Sequence, residues 1–192
     1  MKTKILSFLL LVLPLAASAA PEEGTVNKLG FFGTVWQEPL KLQSATGAVE
    51  QSVANYKGLL ISYERQWIKK SRGFAMGGFL GAGQASGGDG SLPAGLAYAG
   101  ASIPFSVMAI QPRYVWGVSE MIDVSLAVAG LVRTIEWPED PLVRITTSRS
   151  VNAVLSFDLD LNLSERISFR QSYGFWSLDV GPFWKWGLLF QW

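Results

Sequence analysis

The sequence predicts an all-β protein: an eight-stranded antiparallel transmembrane up-and-down β-barrel, preceded by a cleavable signal peptide. Three observations carry this. The first 19 residues have the charge, apolar run and small-residue ending of an export leader. After them come stretches in which apolar and polar residues alternate, most of them ten residues or longer. That alternation is the period of a strand between two environments, and that length suits a tilted crossing of a bilayer. Finally, eight Trp occur among 192 residues, and each falls near the end of such a stretch.

The leader is MKTKILSFLLLVLPLAASAA. Lys2 and Lys4 give the positive start, Ile5 to Leu15 is apolar apart from Ser7, and Ala17-Ser18-Ala19 supplies the cleavage spacing. Cleavage is expected after Ala19, because Pro21 makes the next bond a poor one to cut. The apolar run is too short to span ~30 Å of hydrocarbon as a helix. The domain organisation is therefore a signal peptide over 1–19 and one barrel over 20–192. With no Cys, the mature chain carries no lipid anchor on a thiol, no disulfide and no thiolate site.

Composition supports a membrane surface. Hydrophobic residues make up 49% of the chain, yet no charge-free run of ~18 apolar residues follows the leader. A formal net charge of +1 implies no steering toward nucleic acid or an acidic substrate.

In chain order, the first strand is expected over about Thr25 to Trp36, with Leu29, Phe31, Gly33 and Val35 opposing Lys28, Gly30, Phe32 and Thr34. Gln37 to Ser52 is polar and reads as a long loop. The second strand runs from about Val53 to Trp67, with Leu59, Ile61 and Tyr63 on one face and Glu64 on the other. Ile68 to Arg72 is a short basic turn. The third runs from Gly73 to Gln84, where Phe74, Met76, Leu80 and Ala82 oppose a face rich in glycine. Glycine on that face suits a narrow interior. Ala85 to Pro93 is dense in turn residues.

The fourth strand is placed over Ala101 to Gly117, with a bulge or break at Pro112, which cannot donate to a ladder. Val118 to Glu120 is a tight turn. The fifth, Met121 to Thr134, sets Ile122, Val124, Leu126 and Val128 against Asp123, Ser125, Ala127 and Ala129. Ile135 to Arg144 is a loop containing WPEDP. The sixth, Ser148 to Leu161, sets Val151, Leu155 and Phe157 against Asn152, Ser156, Asp158 and Asp160. Asn162 to Glu165 is a tight turn. The seventh, Arg166 to Trp176, sets Ile167, Phe169, Tyr173 and Phe175 against Ser168, Arg170, Ser172 and Gly174, and Gln171 breaks its apolar face. Ser177 to Pro182 is a short loop. The eighth is Phe183 to Trp192, FWKWGLLFQW.

With the first strand taken to run outward, Trp36, Trp137, Trp176, Trp184 and Trp186 lie toward the outer end, and Trp67, Trp116 and Trp192 lie at the other. Amphipathic rings favour both membrane interfaces, so these residues are the expected interface aromatics. An even strand count closes the sheet and leaves no unpaired edge in hydrocarbon.

The closing segment resembles the last strand of bacterial outer-membrane β-barrels. Those end in a polar residue, any residue, Gly, two of any kind, an aromatic, any residue and an aromatic, and Lys185, Gly187, Phe190 and Trp192 fill that pattern. The resemblance implies an assembly signal read by the barrel assembly machinery, with periplasmic chaperones during transit and location in the outer membrane. The mature chain as a whole resembles the small eight-stranded barrels of the OmpA-, OmpX- and OmpW-like group, without the periplasmic domain of OmpA-type proteins. Outer-membrane lipid and lipopolysaccharide are the expected partners, nucleic acid is not, and a monomer is expected.

The faces assigned inward carry Lys28, Glu64, Arg113, Asp123, Arg133, Asp158, Asp160, Arg170 and Lys185. Mixed charges in a confined lumen need partners. They are expected to form a polar network that fills the barrel; the sharper alternative is a narrow conduit for ions or small solutes. With no His, triads and His-based metal sites are excluded. Small barrels that trim or acylate lipid A use a His, so a lipid-modifying enzyme without one is the weaker alternative. No cofactor is expected. Glu136, Glu139 and Asp140 could bind a divalent cation or bridge lipopolysaccharide, or simply form a solvated loop.

Overall fold

The computed structural model describes residues 24–69, 72–87, 102–139, 141, 143–147, 151–177 and 182–192. The expected signal peptide over 1–19 lies outside the described residues. Nine strands are present among them. They are β1 (Thr25–Ser44), β2 (Val49–Lys69), β3 (Arg72–Gly87), β4 (Ile103–Ser119), β5 (Ile122–Ile135), β6 (Val143–Thr147), β7 (Val151–Asn162), β8 (Ile167–Ser177) and β9 (Phe183–Gln191). Eight of them pair in sequence as an antiparallel ring, with β9 returning to β1, while β6 docks on the far end of β1.

The ring is closed to its last residue: Asn27 and Trp192 exchange both backbone hydrogen bonds at 3.1 Å. The pairings also fix the slant of the strands. Going one way round from Trp186, partners are Gly33, Leu59 and Ala82. Going the other way they are Gln171, Leu159, Val124, Trp116 and Arg72. The two walks meet on β3 ten residues apart, at Ala82 and Arg72. A stagger of that size over eight strands tilts them by ~40° to the barrel axis.

Alternation then sorts the side chains. Outward-facing Phe31, Leu59, Ile61, Phe74, Ile110 and Phe157 are exposed, Leu59 to 75%. Inward-facing Lys28, Arg113, Asp158, Arg170 and Lys185 are buried, Arg170 to 1% exposure. Glycines on the inner face of β3 stand against the neighbouring strand: a Cβ on Gly77 would lie 2.7 Å from that of Glu64.

The structure corrects the long loop expected over Gln37 to Ser52. β1 continues to Ser44, and Gly47 at φ +85° closes a three-residue hairpin turn. The polar residues there alternate with Glu38, Leu40 and Leu42 on the inward face, and Pro39 lies within the strand. The proline is tolerated because β1 has lost β9 beyond Trp36 and has not yet met β6 at Lys41. The loop expected over Ile135 to Arg144 likewise ends in a strand, β6. At Pro112 the ladder to β5 lapses between Ile110 and Arg113 and resumes in register, so there is a break and no bulge. The β3 side continues through Met76 and Pro112.

Candidate functional site

The lumen is the site that the sequence points to, and it is layered. Toward the end that carries Thr25 and Trp192, here the terminal end, it is charged. Arg170 on β8 stands at its centre. Its Nε and Nη2 donate to the two carboxylate oxygens of Asp160, both at 2.6 Å, and Nη1 and Nη2 donate to Glu64 at 2.8 and 3.0 Å. Two bidentate pairs on one guanidinium use the planar fork that only Arg offers. Arg113 on β4 completes the cluster: it pairs with Glu64, and its Nη1 lies 3.4 Å from Asp158 and 4.0 Å from Asp160. Lys28 on β1 approaches Asp160 at 3.7 Å. Ser156 donates to Asp158 at 3.2 Å, and Asn162 to the half-buried Asp123 at 3.3 Å. Four cations, counting Lys185, face four carboxylates, so the layer is neutral.

Lys185 lies at its upper boundary. The ammonium donates to Gln111 at 3.3 Å and sits 5.0 and 5.3 Å from the ring centres of Phe32 and Phe79. Above it the lumen turns apolar. Trp36 stacks on Tyr56 at 4.9 Å and meets Phe105 edge-on at 5.1 Å, with Leu60, Leu131, Val154 and Phe183 around them. Among the described residues, an ion pair crosses this layer. Glu38 pairs with Arg133, accepts from Trp36 Nε1 at 3.0 Å and from Asn152 at 3.5 Å, and the Arg133 guanidinium lies 4.7 Å from the Tyr56 ring centre.

Several placements differ from the sequence reading. The structure brings Glu64, Arg113, Asp158, Asp160 and Arg170 together, with Lys28 beside them. It separates Arg133, which pairs instead with Glu38 in the aromatic layer. Glu38 was missed because Gln37 to Ser52 read as loop. The signal was the alternation Phe32, Thr34, Trp36, Glu38, Leu40, Leu42, running unbroken past Pro39. Trp36, expected at the membrane interface, is 4% exposed inside the lumen. It shares the inward face of Lys28 and Phe32, and it does not end its strand.

Of the other aromatics, Trp67 stacks on Phe74 at 6.1 Å and Trp116 meets Tyr114 at 4.6 Å, all outward near the terminal end. Trp184 and Trp186 face outward on β9, edge to face at 6.4 Å. Trp186 is the fourth of nine residues in its strand, so it lies deeper in the wall than a rim position. Trp137 is half-buried against the lumen cluster, which places it over the mouth and away from the outer wall. The side chain of Trp176 and all of Asp140 lie outside the described residues, so the Glu136, Glu139 and Asp140 patch is not described as a whole. In the closing segment Lys185 faces in, while Phe190 and Trp192 face out, Trp192 at 65% exposure. Gly187 packs against the β1 backbone at Phe31 and Phe32.

A ring with a charged, buried inside and a bare apolar outside inverts the order of a soluble domain. OprG, an outer membrane protein of Pseudomonas aeruginosa, matches it with a TM-score of 0.50 at 15% identity, over 89% of this chain and 97% of that one. The fold is that of the small outer-membrane barrels. Ail, the attachment invasion locus protein of Yersinia pestis, matches in its complex with the heparin analogue sucrose octasulfate. Its TM-score is 0.50 at 10% identity, over 88% of this chain and 100% of that one. No family model matches the chain, and no curated protein does.

Proposed function

We propose that this protein is an integral outer-membrane barrel with a non-enzymatic, structural or surface-interaction role, its lumen filled by its own side chains. The observation that carries this is the inversion of the wall: Arg170, Asp158 and Lys185 are almost wholly buried inside, while Leu59, Ile61 and Phe157 stand exposed outside. Hydrocarbon is the solvent in which that outer surface is stable, and closure satisfies the backbone there. In this reading the chain is exported by the leader over 1–19. Chaperones carry it across the periplasm, and the assembly machinery recognises Lys185, Gly187, Phe190 and Trp192. Trp67, Trp116 and Trp192 anchor the terminal end, and outer-membrane lipid and lipopolysaccharide contact the wall. The absence of His from the chain leaves no imidazole base for lipid-modifying chemistry.

Mobility on a gel, with and without boiling, tests the reading on protein refolded into detergent. The unboiled sample is expected to migrate apart from the boiled one and to give a β-rich circular dichroism spectrum. Protein that stays soluble without detergent and shows no shift would overturn it.

A further inference from the structure

Among the described residues, Gln171 is an outward side chain that a plain lipid-facing wall does not explain. It is exposed on β8 between the buried Arg170 and Ser172. Its outward neighbours along the strand are Ile167, Phe169, Tyr173 and Phe175, and across the ladders it faces Trp186 and Leu159. The outward residues at similar depth on the other strands, from Phe31 on β1 and Met76 on β3 to Val128 on β5, are apolar, glycine, proline or tyrosine. Among the described residues the Gln171 amide has no hydrogen-bond partner. It cannot reach water along the wall: the side chain extends roughly 5 Å, and Ile167 and Phe175 stand about 10 Å to either side along the axis. An amide left unpaired in hydrocarbon is costly, so this position calls for a polar partner at the same depth.

A second copy supplies one. Both copies enter the membrane with the same orientation, so a two-fold axis along the membrane normal sets Gln171 opposite Gln171. The amide carries both donor and acceptor, so two of them satisfy each other reciprocally. The Trp186 indole lies over Gly33, where an added Cβ would sit 3.1 Å from the ring, so it leans toward β1 and away from Gln171. We propose that two copies associate in the membrane through the β8–β9 face, with the paired Gln171 amides at its centre. This rests on the membrane-barrel reading above, and it replaces the monomer expected from the sequence.

The chain has no Cys, so single thiols report this contact cleanly. Tyr173→Cys keeps Gln171 in place, and Met76→Cys marks the opposite wall. In proteoliposomes with a large excess of lipid, copper–phenanthroline oxidation is expected to convert Tyr173→Cys protein to a dimer and to leave Met76→Cys monomeric. Adding Gln171→Leu to Tyr173→Cys is expected to cut the cross-linked fraction about fivefold or more. Equal cross-linking at both sites, or a yield that leucine leaves unchanged, overturns the proposal. The unboiled gel shift on the same samples separates the two readings. A shift without a cross-link overturns the dimer alone; loss of the shift in the parent protein overturns the barrel, and the dimer with it.

Discussion

At the scale of single residues, the interior is held by partners that cannot be removed one at a time. Arg170 gives four hydrogen bonds to Asp160 and Glu64 in a space closed to water. Its charge stabilises the fold because both carboxylates are there, and it is the partner that each of them binds in bidentate fashion. Arg170→Met would leave Glu64 and Asp160 facing each other, with Arg113 as their main remaining cation. The expected loss is about 3–5 kcal/mol, the cost of stranding a buried charge, read as a lower urea midpoint for unfolding from lipid vesicles. Lys185 is a different case. Its ammonium rests on Gln111 and on the faces of Phe32 and Phe79, so it joins the charged layer to the aromatic one.

At the scale of the element, β9 closes the ring, and two of its residues do so differently. Gly187 lies against the backbone of β1, so a methyl group there meets Phe31 and Phe32 main-chain atoms that cannot swing away. Gly187→Ala is expected to cost about 1–3 kcal/mol through strain in the β1–β9 ladder, again read from urea unfolding. Trp192 adds the last backbone pair to Asn27, yet its ring is exposed. Trp192→Ala keeps that main-chain pair. It is therefore expected to leave the unfolding midpoint of refolded protein nearly unchanged while slowing assembly in cells, seen as less heat-modifiable protein in outer membranes. Normal assembly of that variant would remove the ring from the recognition signal.

At the scale of the whole molecule, the layered interior bears on transport. An ion entering from the far end meets Trp36, Tyr56 and Phe105 before it reaches any of the charged layer around Arg170. Both layers are packed across a ring of only eight strands. Planar bilayers containing the purified protein are therefore expected to show no single-channel steps. Discrete, reproducible conductance would contradict a filled lumen and revive the conduit.

The residue order by itself determined the strand faces, because a period of two needs no tertiary information. Lys28, Glu64, Arg113 and Asp158 could be assigned to one side, and Phe31, Leu59 and Phe157 to the other, from alternation alone. It also determined the closing pattern ending at Trp192. What only the tertiary structure decided was how far each strand runs and which inward residues share a level. Those depend on the ten-residue stagger around the ring, which no single strand encodes. That stagger and the outgrowth of β1 past Trp36 turned an expected interface ring into lumen core. They paired Arg133 with Glu38, 95 positions away, while leaving Arg170 among Glu64, Asp158 and Asp160. The polar stretch after Trp36 read as loop for the same reason: whether a strand continues there, and tolerates Pro39, depends on which neighbours it has at that point, and neighbours exist only once the sheet has closed.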